Sequence, residues 1–349
     1  AELIKGAYNA EYGGRLSAVL NVISREGNQK EFKGKANISL LSAQTTLEGP
    51  FYKGAWILSG RRTYFDLVLP KVLPDNIASN IPPYFFYDVQ GHIFSDISSK
   101  DRFSLSYYTG IDDILFDTFG LDGRWGNNTI SGHWRRVFSE RLVGNFLVAN
   151  SKFRTMFGLG GDGGLVNDNI IDDQTISGNF SWFKSPNATI KFGAQHKTLG
   201  FEYFSKFQDS VAFRIENAPV ELGSYLKMKY SLNEVLILEP GIRMNYYNVF
   251  PDSLYPDLRF GLKYLLTDDR YINLSVGNYH QFISTFQDDF NPSILDNWIA
   301  VDESVAPGKS VQFVLGYEEY IRNMYKVQVE GYYKDLKNLL TYEERRSST

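Results

Sequence analysis

The chain has 349 residues with 36 Lys plus Arg against 40 Asp plus Glu, a net charge of −4, and 15% aromatic residues, of which 23 are Tyr and 26 Phe. Scattered charge of both signs excludes a nucleic-acid-binding stripe, the absence of cysteine excludes disulfides, thiolate metal sites and a cysteine nucleophile, and no apolar run reaches the ~20 residues of a membrane-spanning helix. Tyr, Phe, Val, Ile and Thr suit a pleated surface, so the composition predicts an all-β chain, and a membrane barrel is compatible with its low mean hydropathy because barrel strands are apolar only at alternate positions.

The first element is AEYGGRLSAVLNVISREGN (10–28). Gly13 and Gly14 predict a tight corner, and the residues after it a buried strand. From there, period-two alternation predicts fifteen strands, at 33–41, 44–50, 54–63, 84–95, 101–110, 126–138, 140–153, 172–184, 188–202, 213–230, 234–247, 257–266, 270–283, 309–321 and 324–337. RFSLSYYTG (102–110) sets Phe103, Leu105 and Tyr107 against Arg102, Ser104 and Ser106. MYKVQVEGYYKD (324–335) sets Tyr325, Val327, Val329, Gly331 and Tyr333 against Lys326, Gln328, Glu330 and Lys334. Tyr325 and Tyr333 bracket that apolar face roughly 26 Å apart along the strand, near the girdle separation of a membrane barrel. Adjacent Arg61 and Arg62 must point to opposite faces, which predicts a place at the outer rim, because an outward arginine costs about 2–4 kcal/mol at the bilayer midplane.

Connections alternate between short turns (96–101, 139–140, 184–187, 231–234, 266–270, 321–324) and longer links (64–83, 111–125, 154–171, 203–213, 248–256, 284–309). Tight turns at one end and long loops at the other are expected of an outer-membrane barrel. An odd strand count predicts that a closed barrel has further strands beyond residue 349.

Against catalysis, no turn offers a strained nucleophile with a base in reach. The glycine-rich loop FGLGGDGGLVNDNIIDD (157–173) lacks the Gly-Lys-Ser/Thr ending of a phosphate cradle. Its Asp162, Asp168, Asp172 and Asp173 offer oxygens to calcium but at no EF-hand spacing, and a flexible outer loop is the simpler reading. His92, His133, His196 and His280 show no metal-ligand spacing.

IKGAYNAEYGGRLSAVLNVISREGN (4–28) resembles the end of the plug domain of TonB-dependent outer-membrane receptors, just before the barrel. TLEGPFYKGAWILSGRRTYFDLVL (46–69) resembles the second and third barrel strands of the large receptors of Bacteroidota-type bacteria. YPDLRFGLKYLL (255–266), SVGNYHQF (275–282), VAPGKSVQFVLGYEEYI (305–321) and VEGYYKDLKNLL (329–340) continue the match in order. The resemblance implies a transmembrane antiparallel β-barrel of 22 strands, about 15 of them present. On this resemblance residues 1–31 are expected to form the C-terminal end of the plug and 32–349 the N-terminal and central part of the barrel.

It further implies the outer membrane of a Gram-negative bacterium and no enzymatic activity. Import would be gated by plug movement and coupled to the TonB–ExbB–ExbD system. The implied partners are outer-membrane lipids, a surface lipoprotein lid and a small-molecule, glycan or peptide ligand. Gly13, Gly14 and Arg15 are expected at the plug–barrel contact, with Arg15 bonded to an inward barrel acid. Ligand contacts are expected from Phe116, Trp125, Tyr203, Phe286, Asp288, Asp289 and Trp298 on the outer loops, where aromatics and carboxylates suit recognition. Two rivals stay open: a receptor-like barrel serving as a structural subunit of a larger outer-membrane complex, and a soluble all-β binding module.

Overall fold

The computed structural model describes residues 2–74, 84–116, 120–161, 163–208, 210–250, 253–286, 297–303, 305–322 and 324–340. A small ribbon pairs β1 (Glu2–Ile4) with β2 (Val19–Asn21). The large sheet starts with β3 (Lys33–Ile38), β4 (Ser42–Phe51) and β5 (Gly54–Thr63), after which α1 (Phe65–Val72) opens the first long link. Next come β6 (Tyr84–Asp96), β7 (Asp101–Phe116), β8 (Leu121–Ser139), β9 (Leu142–Leu159), β10 (Leu165–Ser185) and β11 (Ala188–Phe207). β12 (Ser210–Asn217) folds back on β11, and the sheet continues with β13 (Val220–Leu232), β14 (Leu236–Tyr247), β15 (Leu254–Thr267) and β16 (Arg270–Gln281). β17 (Ile283–Phe286) and β18 (Asn297–Ala300) form a separate hairpin, and β19 (Gly308–Ile321) and β20 (Tyr325–Lys337) complete the order. Apart from β12, which lies off the path, the strands of the large sheet pair antiparallel in chain order, fifteen in one uninterrupted path from β3 to β20.

Residue alternation sorts the sheet into two faces. Phe103 and Leu105 on β7, Ile130 on β8, Val148 on β9, Ile176 on β10, Leu226 on β13 and Phe313 on β19 lie exposed on one of them. On that face Phe103, Trp134, Phe146, Phe180 and Phe192 form a ladder across five consecutive strands, with ring centroids 5.7, 4.9, 5.5 and 5.2 Å apart, stacked at every step except the edge-on Phe146–Phe180 pair. An apolar band edged by aromatics is the lipid-facing surface of a barrel.

The opposite face is polar and carries residues 2–27. The Lys334 ammonium on β20 donates to the Ser17 carbonyl, while Arg25 pairs with Glu48 on β4. In a flat sheet β20 and β4 would be thirteen strand spacings apart, about 60 Å. The eight residues from 17 to 25 reach at most roughly 28 Å. The sheet therefore curls around the N-terminal segment, and the inner face lines a lumen.

Three of the expected long links are instead strand. Residues 111–116 and 121–125 extend β7 and β8, 154–159 and 165–171 extend β9 and β10, and 203–207 extend β11. β8 to β11 run 18 to 21 residues, twice the ~10 needed to span a bilayer. Above the apolar band both faces meet water, so the period-two apolar signal disappears although pairing continues. The expected strand at 213–230 divides at Ala218-Pro219 into β12 and β13, because proline cannot donate to a ladder.

Candidate functional site

A polar constellation on the inner wall seats residues 7–17. This stretch is short of backbone partners of its own, and wall side chains supply them. The Ala7 amide donates to Gln312 Oε1 (2.9 Å) and the Leu16 amide to Gln281 Oε1 (3.1 Å), while Gln312 Nε2 donates to the Leu16 carbonyl. Arg259 donates through Nη1 to the carbonyls of Asn9 (2.6 Å) and Tyr12. The same guanidinium lies 4.8 Å from the Tyr8 ring and 4.3 Å from the Tyr279 ring, a double cation–π contact. Those two rings are 4.6 Å apart, and the Tyr279 hydroxyl donates to the Tyr8 carbonyl.

A charge placed this deep requires a counter-ion, and Asp257 supplies it. Its carboxylate is fully buried and meets Arg259 (3.2 Å), Asn245 (2.9 Å), Asn278 (3.2 Å) and His280 Nδ1 (2.7 Å). Arg243 sits beside this network, donating to Asn245 (2.7 Å) and to the Glu11 carbonyl (3.5 Å).

The glycine corner fits around these groups. A Cβ at Gly13 would lie 2.1 Å from Arg243 Nε, and Gly14 adopts a left-handed φ of +69° against Glu221. The Glu11 carboxylate reaches Lys191 and Lys227, each at 3.2 Å. Burial would raise its pKa, yet the two ammonium groups hold it below the ordinary glutamate range. Burial pushes the Tyr8 phenol up to about 12, so it stays neutral.

Gly13 and Gly14 lie against Arg243 and Glu221 of the wall, whereas Arg15 makes a different contact from the one expected. Its guanidinium donates to the Gly14 carbonyl (2.7 Å), and no wall carboxylate among the described residues bonds it. The seating cations come from the wall instead. The buried strand expected after the corner is also different: β2 is three residues long, and Leu20, Val22 and Ile23 are 63–80% exposed, leaving Leu16 as the buried anchor. Arg243, Asp257 and Arg259 escaped sequence reading. The signal lay in EPGIRMNYY and YPDLRFGLKY, where charges fall at alternate positions between apolar residues of the other face.

The expected ligand contacts disperse. Tyr203 is buried (4% exposed), its hydroxyl 3.3 Å from Asn167 Oδ1. Trp298 lies on β18, which docks on the β10–β11 wall. Asn169 accepts from the Trp298 amide (2.9 Å) and donates to its carbonyl (3.0 Å), and Trp298 packs against Leu199, Phe201, Ile283 and Ala300. Trp125 is half-buried on β8, Phe116 ends β7 and Phe286 ends β17. Asp288 and Asp289 lie outside the described residues.

In the glycine-rich stretch, Asp168 pairs with Arg154, Asp172 lies 3.8 Å from Lys152, and Asp173 lies 3.6 Å from Lys197 on the opposite face. Asp162 lies outside the described residues, and among those described no three His, Asp or Glu converge as metal ligands. Arg61 points inward to Asp88 (2.6 Å) and Arg62 outward to Asp66 (2.7 Å), at the outer end of β5.

No protein-family model and no curated protein matches the sequence. Solved structures do match. The siderophore receptor PirA from Acinetobacter baumannii shares 11% identity at a TM-score of 0.68, over 96% of this chain and 57% of that one. The alcaligin outer-membrane receptor FauA from Bordetella pertussis shares 12% at 0.69, over 97% and 57%. A chain of the FpvAI–pyocin S2 complex shares 14% at 0.72, over 95% and 53%. The chain thus spans less than two thirds of each, and its fold is that of outer-membrane receptor β-barrels.

Proposed function

We propose that this chain is part of a TonB-dependent outer-membrane receptor, with residues 1–31 ending the plug and 32–349 forming fifteen strands of the barrel. It resides in the outer membrane of a Gram-negative bacterium and imports a ligand by energy-coupled movement of the plug past the inner wall. The reading needs no covalent chemistry, and the neighbours in fold are receptors rather than enzymes.

One observation carries this reading: the backbone of residues 7–17 is held by wall side chains rather than by wall backbone. Such a contact seats a separate body inside the barrel and releases it without opening the strand ladder. Coupling to TonB and its ExbB–ExbD partners would supply the work of release. Phe116, Trp125, Tyr203, Phe286, Asp288, Asp289 and Trp298 remain the proposed ligand contacts.

Ala10 is 1% exposed in the seat and provides the test. In cells carrying full-length protein with Ala10→Cys, a membrane-impermeant thiol reagent is expected to label residue 10 when TonB is present and not when it is deleted. Equal labelling in the two strains would overturn the reading.

A further inference from the structure

Between the seat and the β17–β18 hairpin stands one side chain that bonds both. Gln281 ends β16; its amide oxygen accepts the Leu16 N–H at 3.1 Å, and its amide nitrogen donates to the Ile283 carbonyl at 2.6 Å. A primary amide has one end that accepts and one that donates, so a single orientation serves both partners. Turned over, it would set N–H against N–H and oxygen against oxygen. The Ile283 carbonyl therefore decides which end of Gln281 faces residue 16.

Where that carbonyl lies depends on the docking of the hairpin. Ile283 opens β17 and is buried with Leu199, Phe201 and Ala300, against the β10–β11 wall. On the same wall Asn169 bonds the Trp298 backbone twice. One residue back, the base of the hairpin is fixed by other means. The Phe282 ring stacks on Tyr247 at 4.7 Å, the Val301 amide donates to the Phe282 carbonyl (3.0 Å), and the Tyr247 hydroxyl donates to the Val301 carbonyl (3.1 Å). A hairpin leaving the wall would turn about this pinned base and carry the Ile283 carbonyl with it. Gln312 provides the contrast. It grips the same segment at Ala7 and Leu16, but its remaining bond goes to Ser310 on its own strand.

Resting on the transport reading given above, we propose that Gln281 is the positioning residue that couples the outer hairpin to the seat. While β17–β18 is docked on β10–β11, the amide is held with its oxygen on Leu16 and the seat has its full strength. When the hairpin lifts, the amide is free to turn and the seat loses that bond. An event at the outer mouth that parts Trp298 from Asn169 thereby weakens the hold on residues 7–17 without touching them. The coupling is reciprocal: unseating the segment frees Gln281 and loosens Ile283. Its size is bounded by the one bond it controls, about fivefold in the unseated population.

The test is a mutant cycle in purified full-length protein in detergent carrying Ala10→Cys, read as the rate at which a neutral thiol reagent modifies residue 10. Two perturbations act on the hairpin: Asn169→Ala removes its latch, and Gly-Gly in place of residues 284–299 removes the hairpin outright. Each should speed labelling about fivefold more in the protein with Gln281 than in Gln281→Met, and Gln312→Met should leave that gain in place. The ratio between backgrounds reads the joint, because a mouth widened by the deletion speeds labelling in all of them alike. Hydrogen exchange of the Tyr12 amide, which donates to the Asn9 carbonyl and touches neither glutamine, should give the same ratios with Ala10 in place. If removing the hairpin gains nothing over the Gln281→Met background, or if Gln312→Met abolishes the gain as well, the proposal is overturned. Should the coupling fail while TonB still governs labelling of residue 10 in cells, the joint is wrong and the transport reading stands; labelling indifferent to TonB defeats that reading itself.

Discussion

Replacing Arg259 with Gln removes a guanidinium that is 3% exposed and joins the seated segment to the wall. Two carbonyls, of Asn9 and Tyr12, lose their charged donor. Asp257 keeps Asn245, Asn278 and His280 as partners but loses its buried cation. Arg259 Nε has no acceptor among the described residues, so its own loss costs nothing. Breaking one side of a buried ion pair costs about 3–5 kcal/mol, which corresponds to a rise of about two to three-and-a-half powers of ten in the unseated population. Hydrogen exchange of the full-length protein in detergent reads this directly at the amides of Ala7 and Leu16. Their protection should fall by that factor while β5–β9 keep theirs. Adding Asp257→Asn to Arg259→Gln removes the unpaired carboxylate and should restore part of the loss. Protection of residues 7–17 unchanged within about threefold, or a loss spread evenly over β5–β9, would refute the reasoning.

Gly13→Ala should displace the Arg243 guanidinium, since the new Cβ would lie 2.1 Å from its Nε; an overpacking cost of about 1–3 kcal/mol would appear as faster exchange at residues 9–14. Glu11 has its pKa lowered in the seat, so its contribution is complete above the ordinary glutamate value of about 4.3 and is lost as pH falls below that toward the depressed value. Seating should therefore loosen only in acid, and Glu11→Gln should abolish that pH dependence in an exchange experiment run between pH 7 and 3. Asn169→Ala removes both polar contacts to the Trp298 backbone. At about 1 kcal/mol each, this should speed exchange of the Trp298 amide by roughly 10–30-fold while β10 and β11 stay protected.

The sequence announced its strands wherever one face meets lipid. RFSLSYYTG on β7 and MYKVQVEGYYKD on β20 alternate cleanly, because Phe103 and Leu105 or Val327 and Val329 must be apolar while their neighbours face the lumen. Above the apolar band that constraint lapses. Asn150 and Lys152 on β9 continue the outward row begun by Phe146 and Val148, and Gln174 and Asp172 do the same on β10, so paired strand read as loop. The seat was half legible. Gly13-Gly14 marked the corner, since one position has no room for a side chain and the other takes a left-handed backbone. Its partners were not legible, because Gln281, Gln312, Arg243 and Arg259 come from strands more than 200 residues away and only tertiary structure brings them together. Arg15 drew attention as a charge beside the corner, yet a wall with two buried arginines has little use for a third.

The bonds that fix residues 7–17 follow chain order: Ala7 to Gln312, Asn9 and Tyr12 to Arg259, Glu11 to Lys191 and Lys227, Leu16 to Gln281, Ser17 to Lys334. A load applied from the Glu2 end therefore meets them one after another, like tape lifted from its edge. The same set sheared at once would need the sum of their strengths, roughly ten kcal/mol or more at about 1–3 kcal/mol for each bond to a charged group. Peeled in turn, each asks for only its own share, so a weak pull sustained over a few nanometres empties the seat where a stronger sideways push would not.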